Sequence, residues 1–231
     1  MAIKGVLFDK DGVLFDFQAS WGVGTWHTIQ ALAGGRADLA ERLADCLDYD
    51  LEARRFHPSS FAIAGTAAEV ADAIADVLTH RNRAEIQTFL DDAGAATEMV
   101  PAAPLADVFD ALIDRGLPLG VATNDSEMAA RQQIAGQGVF DRFAFIAGSD
   151  SGHGAKPAPG MCLAFAAETR LTPDECVMVG DSTHDLHAGR AAGFRTLGVL
   201  TGVATAAVLA PWADAVLPSI AELPDWLDQR G

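Results

Sequence analysis

The chain is 231 residues long, 50% hydrophobic, with 32 acidic against 16 basic side chains and a formal net charge of −16. That length suits one large domain, or a core with a smaller attached domain, and supplies apolar material for a sizeable core. So negative a surface excludes nucleic acid and anionic membrane as partners, since both need clustered Lys and Arg. It also demands a local positive charge wherever an anionic substrate binds.

The first predicted element is a strand at 3–8, a near-continuous apolar run of the kind that marks strands buried on both faces. It ends in Asp9-Lys10-Asp11-Gly12. From Phe17 to about Val100 no strand-like run follows, and the stretches 21–32, 37–47, 66–79 and 83–93 read as amphipathic helices. Thr66 followed by Glu69 has capping-box spacing. The MVPAAP segment at 99–104 reads as a linker, because its prolines do not sit in a helix interior.

Beyond the linker, apolar runs at 117–122, 143–147, 176–179, 196–199 and 215–217 alternate with helical patterns at 107–115, 128–137, 159–169 and 186–192. Such alternation implies right-handed crossovers and a parallel sheet with helices on both faces. The expected fold class is therefore α/β. A doubly wound, Rossmann-like parallel sheet is formed by residues 1–16 and 99–231, with an all-helical cap inserted at 17–98. Cys46, Cys162 and Cys176 are scattered, with no CxxC pair, and read as reduced thiols. The N-terminus has no signal-peptide pattern, and no apolar run approaches the ~20 residues of a membrane helix. The expected location is the cytoplasm, and the expected state a monomer or homodimer.

In open parallel sheets, ligands bind at the carboxyl ends of the strands, and four such ends carry unusual polar residues. The first gives Asp9 and Asp11, the second Thr123-Asn124-Asp125, the third Lys156 in GHGAKPAPG, and the fourth Gly180-Asp181-Ser182-Thr183-His184-Asp185. Two carboxylates spaced i, i+2 on an extended segment point the same way. One can attack phosphorus, and the other can protonate the leaving oxygen and later deprotonate water. An oxygen-only cluster of Asp9, Asp11 and Asp181 suits magnesium. Thr123 and Lys156 can supply a hydroxyl and a positive charge to the phosphoryl oxygens. Taken singly, each motif has a plainer reading as a turn, an exposed lysine or a helix cap. Their occurrence in order, each at a strand end, favours phosphoryl transfer.

These residues resemble the haloacid dehalogenase-like hydrolases, in the branch of phosphoglycolate phosphatase and β-phosphoglucomutase. FDKDGVLFD at 8–16 is similar to that family's first motif, VATND at 121–125 to its second, AKPAPG at 155–160 to its third and VGDSTHD at 179–185 to its fourth. Lys10 departs from the pattern, where an apolar residue or Thr is more usual, as does Val13, where Thr is. The resemblance implies Asp9 as nucleophile and Asp11 as general acid/base, with its main-chain carbonyl on the metal. It implies Thr123 and Asn124 as phosphoryl ligands, with Lys156 tying that group to the nucleophile. Asp9, Asp11, Asp181 and Asp185 would hold Mg2+.

The expected activity is hydrolysis of a small phosphorylated metabolite, phosphoglycolate first. Another phosphosugar or nucleotide, a β-phosphoglucomutase-like transfer and a silent phospho-ligand-binding protein stand as alternatives. True dehalogenases lack an aspartate at the position of Asp11. In the cap, the cluster Arg54-Arg55-Phe56-His57 makes Arg55 and His57 candidate substrate contacts, with a solvated turn as the plainer reading. His184 and His187 read as surface or packing residues rather than zinc or iron ligands.

Overall fold

The computed structural model describes residues 2–229. The chain divides into two compact units, one built from the segments up to Asp16 and from Pro101 onward, the other from Phe17–Val100. In chain order, β1 (Gly5–Phe8) is followed in the inserted unit by α1 (Val23–Ala33), α2 (Ala37–Cys46), β2 (Tyr49–Asp50), β3 (Arg55–Phe56), α3 (Ala67–Val77) and α4 (Arg83–Ala95). The chain then runs through α5 (Leu105–Ile113), β4 (Leu119–Ala122), α6 (Glu127–Gly136), β5 (Phe143–Ala147), α7 (Gly160–Thr169) and β6 (Cys176–Gly180). It finishes with α8 (Thr183–Ala192), β7 (Arg195–Val199), α9 (Ala206–Leu209), β8 (Ala215–Leu217) and α10 (Leu223–Asp228).

The larger unit holds one six-stranded sheet in the order β5-β4-β1-β6-β7-β8, and every pairing in it is parallel. The chain builds outward from β1 through β4 and β5, then returns to the other side of β1 with β6. That makes β1 the turning point of the topology, where the crevice at the strand ends opens. Register does the rest of the alignment. Phe8 lies opposite both Val121 and Val179, so Asp9, Thr123 and Asp181 leave their strands at nearly one level.

All four residues of β1 and all five of β6 are buried, as continuous hydrophobicity demands of central parallel strands. On one face Leu7, Met161, Cys162, Phe165, Met178 and Phe194 form a single apolar cluster. Phe165 is its centre, edge-to-face with Phe145 at 5.9 Å and with Phe194 at 6.4 Å. Gly120 in β4 permits that packing, since a Cβ there would lie 2.6 Å from the Phe165 ring. Cys46, Cys162 and Cys176 are free thiols.

The inserted unit is helical except for one antiparallel ladder, β2 with β3, two residues on each side. That ladder is absent from the sequence-based expectation. Two residues are too few to display alternation, and the ladder depends on side chains elsewhere. The Asp50 carboxylate accepts from the N–H groups of Glu52 and Ala53 to close the turn. Gln18 clamps Phe56, donating to its carbonyl and accepting from its N–H, both at 3.0 Å. Thr66 and Glu69 form the expected capping box at the start of α3. Among the described residues no helix is long and apolar enough to cross a membrane.

Candidate active site

At the end of β1 the ladder continues for one residue, with the Asp9 N–H donating to the Val179 carbonyl at 2.9 Å. The chain then folds back sharply. Leu14 and Phe15 both donate to the Lys10 carbonyl, and Gly12 donates to the Phe15 carbonyl at 2.7 Å. Gly12 has φ +76°, a left-handed conformation that a Cβ would strain. The strand period therefore stops at Asp9, and the two acids of this loop take different partners. The Asp9 carboxylate meets Lys156, whereas that of Asp11 meets Lys10.

Lys156 is buried, and its ammonium lies 2.6 Å from an oxygen of Asp9 and 2.6 Å from one of Asp185. Burial opposes its charge, but the Asp185 and Asp9 carboxylates outweigh that and raise its pKa above the ordinary lysine range. Asn124 positions this lysine. Its side-chain oxygen accepts from the Lys156 N–H at 2.8 Å and its amide nitrogen donates to the Lys156 carbonyl at 3.0 Å. Thr123 is buried, and its hydroxyl oxygen accepts from the Asp125 N–H at 3.1 Å, which leaves the hydroxyl proton available for a ligand.

Asp9, Asp181 and Asp185 are buried together, with one carboxylate oxygen from each lying within 4.8 Å of the others. Burial first, then the Asp185 charge, pushes the Asp9 carboxyl up to about 7. Burial, with Asp185 and Asp9 nearby, holds Asp181 well above the ordinary carboxylate range. Such a set is short of positive charge, and its donors are all hard oxygens, so it fits a divalent cation. Two glycines approach this group closely: a Cβ at Gly12 or Gly202 would collide with Oδ2 of Asp181. Asp185 also closes a capping box, accepting from the Ser182 N–H at 3.0 Å and from its hydroxyl at 2.7 Å. Ser182, not Asp181, is thus the N-cap of α8. Asp11 contributes no carboxylate to this group, unlike the Asp9, Asp11 and Asp181 cluster expected from the sequence, because its carboxylate is turned to Lys10.

The structure adds three residues to the site that spacing alone missed. Lys10 is fully buried against Asp11, Asp125 and Gln133, and those two carboxylates raise its pKa despite the opposing effect of burial. Thr201, in the loop after β7, donates its hydroxyl to the Gly12 carbonyl at 2.7 Å, and Gly202 beside it covers Asp181. A glycine-bearing turn at the end of a strand next to β6 was the available signal for this loop.

In the inserted unit, Arg55 and His57 are exposed, and the His57 N–H donates to the Asp48 carbonyl at 3.0 Å. The anchored cation of that cluster is Arg54, at φ +51°, stacked 4.1 Å from the Trp26 ring. His184 and His187 stand outside the carboxylate group, and the His187 ring packs edge-on to Trp212 at 4.3 Å.

A family model, haloacid dehalogenase-like hydrolase, matches residues 3–193. Among curated relatives, a phosphoglycolate phosphatase from Rhodospirillum rubrum is 35% identical over 117 residues, covering 51% of this chain and 48% of that protein. One from Chromobacterium violaceum is 39% identical over 109 residues, covering 47% and 48%. The chain thus spans about half the length of these curated relatives. Among solved structures, CbbY from Rhodobacter sphaeroides in complex with phosphate aligns at TM-score 0.69 and 22% identity over 96% of both chains. A β-phosphoglucomutase from Clostridium difficile aligns at 0.70 and 17%, covering 99% of this chain and 96% of that one. At those identities the likeness is one of fold. The family match runs from β1 to the end of α8 and takes in the strand ends that carry Asp9, Thr123, Lys156 and Asp181, so the chain belongs to the haloacid dehalogenase-like hydrolases.

Proposed function

We propose that this chain is a magnesium-dependent phosphatase that hydrolyses a small phosphate monoester through an aspartyl-phosphate on Asp9, with phosphoglycolate as the favoured substrate. The observation that carries the reading is the buried group of Asp9, Asp181 and Asp185 with the Lys156 ammonium set between two of them. Phosphoglycolate is favoured because curated relatives that match half of the chain carry that name. Residues 1–16 and 99–231 would form the catalytic core and 17–98 the cap.

In the first half-reaction Asp9 attacks phosphorus, the bond to the leaving oxygen breaks, and Asp11 gives that oxygen a proton. In the second, Asp11 takes a proton from the water that cleaves the aspartyl-phosphate, which frees phosphate and restores Asp9. The Thr123 hydroxyl donates to a phosphoryl oxygen, and Lys156 draws that group to the nucleophile. Asn124 acts by holding Lys156. Asp9, Asp181, Asp185 and the Asp11 carbonyl would hold Mg2+, which when bound offsets the charge of carboxylates and phosphoryl oxygens. Arg55 and His57 are the candidate residues for substrate choice in the inserted unit.

The test is phosphate release from a panel of phosphometabolites, with magnesium or with chelator, and with Asp9→Asn as control. Magnesium-dependent release, strongest on phosphoglycolate and lost in Asp9→Asn, supports the reading. A flat profile over the panel would remove phosphoglycolate as the substrate. No release from any compound would favour a phosphotransferase or a silent binding protein.

A further inference from the structure

The chain has three lysines, Lys4, Lys10 and Lys156. Lys10 and Lys156 are buried at the strand ends, and Lys10 is fully inaccessible to solvent. A buried ammonium is costly unless it is paired and hydrogen-bonded, and Lys10 is both. Its Nζ lies 2.9 Å from Oδ1 and 2.8 Å from Oδ2 of Asp11, 3.2 Å from Oδ2 of Asp125, and 2.5 Å from Oε1 of Gln133. These partners come from three places in the chain: the loop after β1, the loop after β4, and helix α6. The mechanism above gives Lys10 no role.

We propose that Lys10 is a positioning residue that holds the Asp11 carboxyl group where proton transfer to the leaving oxygen requires it. The inference rests on the phosphatase reading. Asp11 sits in a tight turn beside a glycine of left-handed φ, and nothing in strand geometry fixes its side chain there. Lys10 grips both carboxylate oxygens at once, and Gln133 and Asp125 keep the ammonium from following a rotation of Asp11. A proton donor must lie within hydrogen-bonding reach of the leaving oxygen, so loss of this grip weakens acid catalysis specifically.

Leaving-group dependence separates that role from simple support of the fold. p-Nitrophenolate departs without a proton, whereas the alkoxide of phosphoglycolate or glycerol phosphate needs one. The quantity to compare is kcat/KM, which covers the steps through departure of the first product. The substrates are p-nitrophenyl phosphate and whichever of the two alkyl esters the wild type turns over, with Asp11→Asn as reference. Lys10→Met is expected to lose about 100-fold on the alkyl ester and no more than about threefold on p-nitrophenyl phosphate, the pattern of Asp11→Asn. Gln133→Leu keeps every charge in place and is expected to shift in the same direction by roughly tenfold or less.

Equal losses on both substrates, or none on either, would overturn the proposal. Should Lys10→Met fail to give a cooperative thermal melt, Gln133→Leu decides alone by the same criterion. The two readings fail differently. A wild type inactive on every phosphate ester takes both down. A wild type in which Asp11→Asn discriminates and the Lys10 and Gln133 variants do not sinks only the role of Lys10.

Discussion

Asp9 carries more opposing demands than any other residue of the site. Burial and the Asp185 charge push its carboxyl up to about 7, while Lys156 at 2.6 Å favours the ionised form that the proposed nucleophilic role needs. Groups placed for chemistry in this way cost stability, so neutralising one of them should help the fold. Asp9→Asn is expected to reduce phosphate release to background and, in chelator, to raise the melting temperature by a few degrees, ~1 kcal/mol. Calorimetry and a phosphate assay on the same preparation check both, and a lower melting temperature would refute the claim of repulsion.

A second residue-scale case lies away from the site. The Lys4 ammonium, then the Thr172 N–H and hydroxyl, hold the partly exposed Glu175 carboxyl at about 2 against its ordinary 4.5. A depressed acid stabilises the fold above its unfolded pKa and loses that contribution as pH falls through the folded one. Stability should therefore drop between pH 4.5 and about 2, and Glu175→Gln should flatten that part of a urea-denaturation profile.

At the level of elements, parallel strands are fixed by burial and the inserted helices by their ends. Phe165→Ala removes the fully buried ring at the centre of the cluster around β1, β4 and β6 and is expected to cost about 3–5 kcal/mol. Gly120→Ala attacks the same contact from the sheet side, with a Cβ 2.6 Å from that ring, at a cost of roughly 1–3 kcal/mol. Equilibrium unfolding in urea measures both. In the inserted unit, Thr66→Ala breaks the capping box of α3 and should cost about 1 kcal/mol without altering the fold.

At the scale of the molecule, a net charge of −16 coexists with a site that, on the proposed function, accepts an anion. Two of the three lysines are buried at the strand ends, which sets positive charge beside the carboxylates there, whereas the arginines among the described residues lie at or near the surface. The same crowding of acids predicts a thermal response to metal. Roughly a hundredfold excess of Mg2+ over its Kd should stabilise the protein by about 2–3 kcal/mol. Asp181→Ala should abolish that shift and raise the magnesium requirement for turnover. A shift unchanged in that variant would place the cation elsewhere.

The sequence by itself determined the alternation of strands and helices, the parallel sheet and the family. Continuous apolar runs and ordered motifs are local properties, and they survive being read one segment at a time. Boundaries at 143–147 and 215–217 coincide with β5 and β8 for that reason. Tertiary structure alone decided which side chains meet. Lys10 stands next to Asp9 in the chain, yet its ammonium is spent on Asp11, Asp125 and Gln133, the last 123 positions away. Asn124 turned out to clamp Lys156, and the Gly202 turn to cover Asp181. The two-residue ladder of β2 and β3 was equally hidden, because Gln18 and the Asp50 turn hold it rather than any pattern of its own. A motif gives the type of a residue and its place on a strand. Where a long, flexible, charged side chain ends depends on the electrostatics of everything folded around it.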